Sequence, residues 1–186
     1  MKPILRDIPE QFTTERLLIR TPSPGDGPLI NAATHQSLDE LRPWMPWAMG
    51  DVPVAETEEY VRHAYANFLT RRDLPLLLLQ RETGAFIGGS GLHRIDWDVP
   101  KFEIGYWCST PFTGLGYITE AVNGLTVFAF TTLGARRVEI RCSARNERSA
   151  AVARRCGYTQ EAIFPNYRRS HFTEALESEM VFAKTR

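Results

Sequence analysis

The stretch from Ile104 to Ala121 constrains the chain most. Ile104-Gly105-Tyr106-Trp107-Cys108 has the aromatic and β-branched character of a strand. Gly114 and Gly116 then flank Leu115 in a short loop. From Tyr117 the apolar residues take helical spacing, with Ala121, Leu125, Phe128 and Ala129 on one stripe and Gly134 beyond the end. The next strand, Arg137 to Cys142, should therefore lie parallel to the first, reached by a right-handed crossover. A helix start also exposes unpaired N–H groups and about half a positive charge, which suits a phosphate or pyrophosphate. The loop is no Walker loop, since no lysine follows its glycines. It is no dinucleotide fingerprint either, because Thr119 stands where a third glycine is needed.

The flanking chain reads as a mixed α/β plan in one domain, residues 1–186. Residues 1–12 look like a loose lead-in, and 14–20 like a first strand. Pro22 and Pro24 end that strand, and Asp26 is placed to cap a helix read over Leu29 to Leu41. A second helix is expected over Glu56 to Arg72, with Tyr60, Val61, Ala64 and Phe68 facing inward. Leu76 to Gln80 is a buried strand, joined by a turn at Glu82-Thr83-Gly84 to an antiparallel one over Phe86 to His93. Gly88, Gly89 and Gly91 in that strand point to a bulge or to the close approach of another group. Ile95 to Pro100 is a turn carrying Asp96 and Asp98. Asn146 to Cys156 is a helix stopped by Gly157, and Tyr158 to Lys184 reads as two strands turning at Pro165-Asn166-Tyr167.

Composition excludes more than it selects. Formal net charge is zero, which argues against a general nucleic-acid binder. The charges are nonetheless uneven. Leu38 to Tyr60 is acidic, whereas Gly134 to Ser170 is rich in arginine, including Arg141, Arg148, Arg155 and Arg168. A basic half suits an anionic cofactor and an acidic patch a cationic acceptor. Three cysteines without a Cys-x-x-Cys pair fit free thiols in a reducing compartment, and no His pair has metal spacing. With no apolar run of signal or membrane-span length, a cytoplasmic protein is expected.

The loop alone supports only a phosphate ligand, but its combination with two other runs is more specific. Glu103-Ile104-Gly105-Tyr106-Trp107, then Gly114 to Ala121, then Asn146-Glu147-Arg148-Ser149 through Gly157-Tyr158 resembles the GNAT N-acetyltransferase superfamily. It is most similar to the RimJ/RimL branch, named for acetylation of ribosomal-protein N-termini. Arg16 to Arg20 and the loop from Arg42 to Trp47 fit that branch as well. The resemblance covers nearly the whole chain. It implies a mostly antiparallel mixed sheet flanked by helices, with a splayed parallel pair at its centre.

By position, the resemblance puts Trp107, Cys108 and Ser109 at the strand end that binds the pantetheine and thioester of acetyl-CoA. Thr113, Gly114, Leu115, Gly116, Tyr117, Ile118 and Thr119 form the pyrophosphate loop, and Asn146 contacts the pantetheine arm. Ser149, one turn on from Asn146, is the expected acid for the leaving thiolate. Three departures bear on this. Thr113 replaces the usual Gln or Arg, and Ile118 the usual Gly or Ala, which moves weight onto backbone amides. Ala153 stands where many members carry an acid tyrosine, leaving Ser149 as the better candidate.

The implied reaction is direct attack of a neutral amine on acetyl-CoA in a ternary complex. An N-terminal α-amine, with a reference pKa of about 7.7–8.0, deprotonates more readily than a lysine near 10.4. Glu103 is the first choice of base, directly or through a water, and a backbone N–H near Cys108 the oxyanion donor. His93 and His171 are weaker candidates, since a strand histidine is more often structural. Trp44 and Trp47, in a proline-stiffened loop, could wall an acceptor pocket, with Asp96 and Asp98 attracting a cation, although packing and turn roles compete for all four. The expected acceptor is a protein N-terminus, such as that of a ribosomal protein. A small amine, or a non-catalytic acyl-CoA sensor on the same fold, stays open. Relatives in that branch are often dimers, so a homodimer is among the expectations.

Overall fold

The computed structural model describes residues 2–186. Eight strands form one sheet: β1 (Gln11–Thr13), β2 (Leu17–Arg20), β3 (Leu74–Gln80), β4 (Phe86–Asp96), β5 (Lys101–Cys108), β6 (Arg137–Ser143), β7 (Thr159–Arg169) and β8 (Leu176–Thr185). Their order is β1-β2-β3-β4-β5-β6-β8-β7, and among the described residues β5–β6 is the one parallel pair. The helices are α1 (Gly27–His35), α2 (Leu38–Leu41), α3 (Val54–Thr70), α4 (Tyr117–Thr131) and α5 (Glu147–Arg155).

Alternation along the strands divides the core between the two faces of the sheet. On one face Leu78 of β3, Phe102 and Ile104 of β5, and Val138 and Ile140 of β6 meet Ala121, Leu125 and Ala129 of α4 and Ala150 and Ala153 of α5. On the other, Leu77, Leu79 and Phe86 pack with Ile30 of α1 and Val61 of α3. The expected inner stripe of α4 is buried throughout.

The parallel pair is short. Only Lys101↔Arg137, Phe102↔Val138 and Glu103↔Glu139 are in register. Beyond them β5 holds its antiparallel ladder to β4, while β6 holds its own to β8. The sheet therefore opens into a V between Ile104–Cys108 and Ile140–Ser143, and this opening positions the site.

Several expectations are corrected. The helix read over Leu29 to Leu41 is broken, because fully buried Ser37 donates its Oγ–H to Ala33 O (2.7 Å) and accepts the Thr110 N–H (3.0 Å). Tyr60 is 56% exposed on α3 rather than facing inward, and the buried stripe is Val61, Ala64 and Phe68. The lead-in contains β1, and β4 runs on to Asp96, so the turn is confined to 97–100. Pro165-Asn166-Tyr167 is not the last turn. It lies within β7, where Asn166 adopts φ +51° and the pairing to β8 shifts register between Phe164 and Arg168. The β7–β8 connection is instead at 170–175, where Ser170 Oγ accepts the N–H groups of Phe172 and Thr173. Among the described residues no helix is long and apolar enough to cross a membrane.

Candidate active site

A cleft of about 860 Å³ fills the V between β5 and β6. The start of α4 forms one of its walls. Gly114 (φ +78°) and Gly116 (φ +84°) take left-handed conformations, and Gly116 is the N-cap residue. No side chain caps the helix, so its first N–H groups remain free for an anion. Arg148 and Arg155 of α5 line the same cleft.

The loop is tied to the N-terminal strand. The Arg16 guanidinium donates to Leu115 O (3.1 Å) and to Glu120 Oε2 (2.6 Å). Glu120 Oε1 accepts from Thr14 Oγ1 (2.6 Å) and the Arg16 N–H (2.7 Å). Burial pushes the Glu120 carboxyl upward, but these hydrogen bonds outweigh it and hold the pKa below the usual carboxylate range.

On α5, Asn146 is the N-cap and its Oδ1 accepts the Ser149 N–H (3.0 Å), turning Ser149 into the cleft. Tyr106 of β5 reaches across the V. Its hydroxyl lies 2.9 Å from Ser149 Oγ and 3.1 Å from Ser149 O. Burial pushes the phenol well above its ordinary pKa, partly offset by Ser149, so Tyr106 keeps its proton at working pH. Tyr106 received no role from the sequence. Its parity with Phe102 and Ile104, which sends it toward α5, was the available signal.

Most of the expected cofactor residues come together here: Trp107, Cys108, Thr113, Gly114, Gly116, Tyr117, Ile118, Thr119 and Asn146 all line the cleft. Two do not. Ser109 is buried, and its N–H is taken by Ile87 O (2.8 Å). Leu115 points outward, 54% exposed. The Cys108 thiol is pushed up to about 11 by burial, and Cys142 and Cys156 also lie above the usual range for the same reason.

A second cleft, of about 440 Å³, lies on the α1/α3 face. Its lining includes Trp47, Tyr60, Trp107, Glu56 and His93. Trp47 packs edge-on against Trp107 with ring centroids 5.6 Å apart. The two clefts share Met45, Gly105, Tyr106 and Trp107, so they meet where the V opens. The tryptophans divide between them, Trp47 in this cleft and Trp44 in the first.

Glu103 lines neither cleft. Its carboxylate lies 3.4 Å from Arg141 and 3.6 Å from Arg94, and burial raises its pKa despite both guanidiniums. Asp96 and Asp98 also lie outside both clefts. Asp96 Oδ1 accepts the N–H groups of Asp98 and Val99 (3.0 Å each) and so builds its own turn. His171 Nε2 sits 2.9 Å from Arg42 O. His93, by contrast, lies in the second cleft with Nδ1 2.8 Å from the Asp73 carboxylate.

A splayed parallel pair, an uncapped glycine-entered helix between its strands, and a second cleft meeting the first at the splay define a GNAT-type acetyltransferase. The acetyltransferase (GNAT) domain profile matches residues 16–159, and the chain belongs to that family. It is an acetyl-CoA-dependent N-acetyltransferase. A Bacillus subtilis (strain 168) protein, YdaF, provisionally named a ribosomal N-acetyltransferase, is 32% identical over 151 residues, 79% of this chain and 80% of that one. A structure described as a probable acetyltransferase superposes with TM-score 0.86 at 25% identity, over 95% of this chain and 97% of that one. RimL, a ribosomal L7/L12 alpha-N-protein acetyltransferase solved with coenzyme A, superposes with TM-score 0.87 at 19% identity, over 95% of this chain and 98% of that one; this likeness is of fold.

Proposed function

We propose that the chain acetylates the α-amine of a protein or peptide N-terminus. The observation that carries the reading is the meeting of the two clefts at Gly105–Trp107. A thioester held in the V from one face of the sheet, and an amine entering from the other, come together without a covalent enzyme intermediate. Holding both in one geometry removes much of the entropic part of the barrier. The uncapped start of α4, with Arg148 and Arg155, would hold the pyrophosphate, and Asn146 the pantetheine arm. Bound acetyl-CoA supplies the activated acetyl carbonyl. Ser149, hydrogen-bonded to Tyr106, is the proton donor to the leaving sulfur.

The acceptor class rests on three supports. The second cleft has room for one or two residues of a peptide. Glu56 brings a carboxylate, and Trp47 and Tyr60 bring aromatic faces, suited to an ammonium end. The relative YdaF is named for ribosomal substrates. Asp96 and Asp98 are not part of this acceptor site. One observation favours a small primary amine instead, namely the modest volume and mostly apolar walls of the cleft.

Incubation with acetyl-CoA and two sets of acceptors tests the reading. One set is peptides with free N-termini, the other small primary amines, and both are followed by release of free thiol and by mass. Gain of one acetyl group on the peptide α-amine is expected. Acetylation of small amines alone would replace the N-terminal reading. Binding of acetyl-CoA without thiol release across both sets would sink the enzymatic reading of this chain and leave a sensor.

A further inference from the structure

We propose that His93, held by Asp73, is the base that takes the proton from the acceptor amine. The proposal rests on the second cleft being the acceptor site. Asp73 lies just before β3 and His93 on β4, and the pairing of these strands brings them together, with both carboxylate oxygens 2.8–2.9 Å from Nδ1. An ionised carboxylate only accepts hydrogen bonds, so Nδ1 carries the proton and the neutral ring has its lone pair on Nε2.

Two glycines fix where that lone pair sits. Nε2 is 2.7 Å from the point where a Cβ on Gly91 would stand and 3.3 Å from that point on Gly105. The Nε2 end of the ring thus lies against bare backbone, at one of the residues where the two clefts meet. Glycine at both positions admits the imidazole to the junction, which accounts for Gly91 of β4 and Gly105 of β5.

The chemistry balances. The acceptor ammonium gives one proton to His93 Nε2, which passes it to solvent. The freed nitrogen lone pair forms a C–N bond to the thioester carbonyl carbon, and the C–S electron pair leaves with sulfur. The nitrogen's second proton passes to solvent as the amide forms, the departing sulfur takes a proton from Ser149, and Ser149 regains one from solvent through Tyr106, so one proton is released overall. Glu103, the register partner of His93 on β5, is held by Arg94 and Arg141, and its negative charge lies beside the imidazolium that forms. From α3, Glu56 and Tyr60 face the same cleft.

Two measurements on the full chain with bound coenzyme A test this. Long-range ¹H–¹⁵N correlations, with His93→Gln used for assignment, should show His93 with its proton on Nδ1; a proton on Nε2 overturns the proposal. Transfer from acetyl-CoA to ethylamine, strongly basic, is then compared with transfer to 2,2,2-trifluoroethylamine, which needs no base. His93→Gln should lower kcat/KM for ethylamine by about a hundredfold or more, and for trifluoroethylamine by no more than about threefold. Asp73→Asn should follow the same pattern with smaller losses. Equal losses on both amines, or none, overturn the role of His93. Where the wild type acetylates a peptide N-terminus but neither small amine, the same comparison is read on that peptide and on its aminooxyacetyl-terminated analogue, whose amine needs no base; a wild type that acetylates none of these acceptors overturns the acceptor reading beneath the proposal, whatever the tautomer.

Discussion

The hydroxyls of Tyr106 and Ser149 lie 2.9 Å apart across the opening between β5 and β6. Ser149 alone is a weak acid exposed to a cleft. With a phenol that stays protonated as its partner, a proton lost from Ser149 toward sulfur can be replaced from Tyr106. Ser149→Ala should therefore lower kcat by about a hundredfold or more, with little change in KM for acetyl-CoA. Tyr106→Phe should lower kcat less and leave the fold intact, since it keeps the ring. Steady-state thiol release measures both. An unchanged kcat in Ser149→Ala would remove this residue from the mechanism.

The glycine loop before α4 makes a separate prediction. Gly116 sits at φ +84°, and its built Cβ would stand 3.4 Å from the Arg16 guanidinium. Gly116→Ala should cost about 1–2 kcal/mol of stability from the left-handed backbone. It should also raise KM for acetyl-CoA, because relaxing that strain turns the free N–H groups of α4 away from the cleft. Thermal melts and acetyl-CoA titrations of one sample separate the two effects.

The same contrast between local and distant determinants decides what the sequence disclosed. The loop and α4 were legible because Gly114, Gly116 and the apolar stripe act through neighbours in the chain. The break at Ser37 was not, because it depends on Thr110, far along the chain. Pro165 looked like a turn, yet β8 is long enough to carry β7 past it as an irregularity, and the actual turn at 170–175 holds neither glycine nor proline. In the site, order and spacing picked out residues that the fold gathers along one cleft. The contacts of Tyr106 with Ser149 and of His93 with Asp73 were not legible, because they exist only once strand register and the splay are set. Glu103 had the parity of a base, but the arginines that engage it come from β4 and β6.

Glu103 gives a prediction in stability. Its pKa is raised, chiefly by burial, so the folded state binds a proton that the unfolded chain has released. Stability from this group therefore falls as pH rises from the unfolded value, about 4.3, through the folded one. Glu103→Gln should remove that loss and hold its melting temperature better than wild type between acid and neutral pH. Glu120 has the opposite sign. Its depressed pKa contributes stability above about 4.3 that disappears as pH falls through the folded value. Glu120→Gln should therefore cost stability at neutral pH and little in acid. Melts of both variants against pH should diverge from wild type in opposite directions.

Gly89 controls the boundary between the two clefts. It pairs with Trp107 across β4 and β5, and the indole lies directly over it: a Cβ built there would overlap Nε1 and stand 3.1 Å from Cδ1. Trp107 also packs against Trp47 and Phe86, so the indole has little room to move aside. Gly89→Ala should cost about 1–3 kcal/mol by overpacking. The displaced indole would move into the junction that both clefts share. The acetyl-CoA dissociation constant should then change little, because Gly89 lines the second cleft and not the first, where the Gly114–Thr119 loop lies, while kcat/KM for the amine falls by about tenfold or more. Equilibrium binding of acetyl-CoA beside amine kinetics checks this. Loss of acetyl-CoA binding with unchanged amine kinetics would mean that Trp107 serves the cofactor alone.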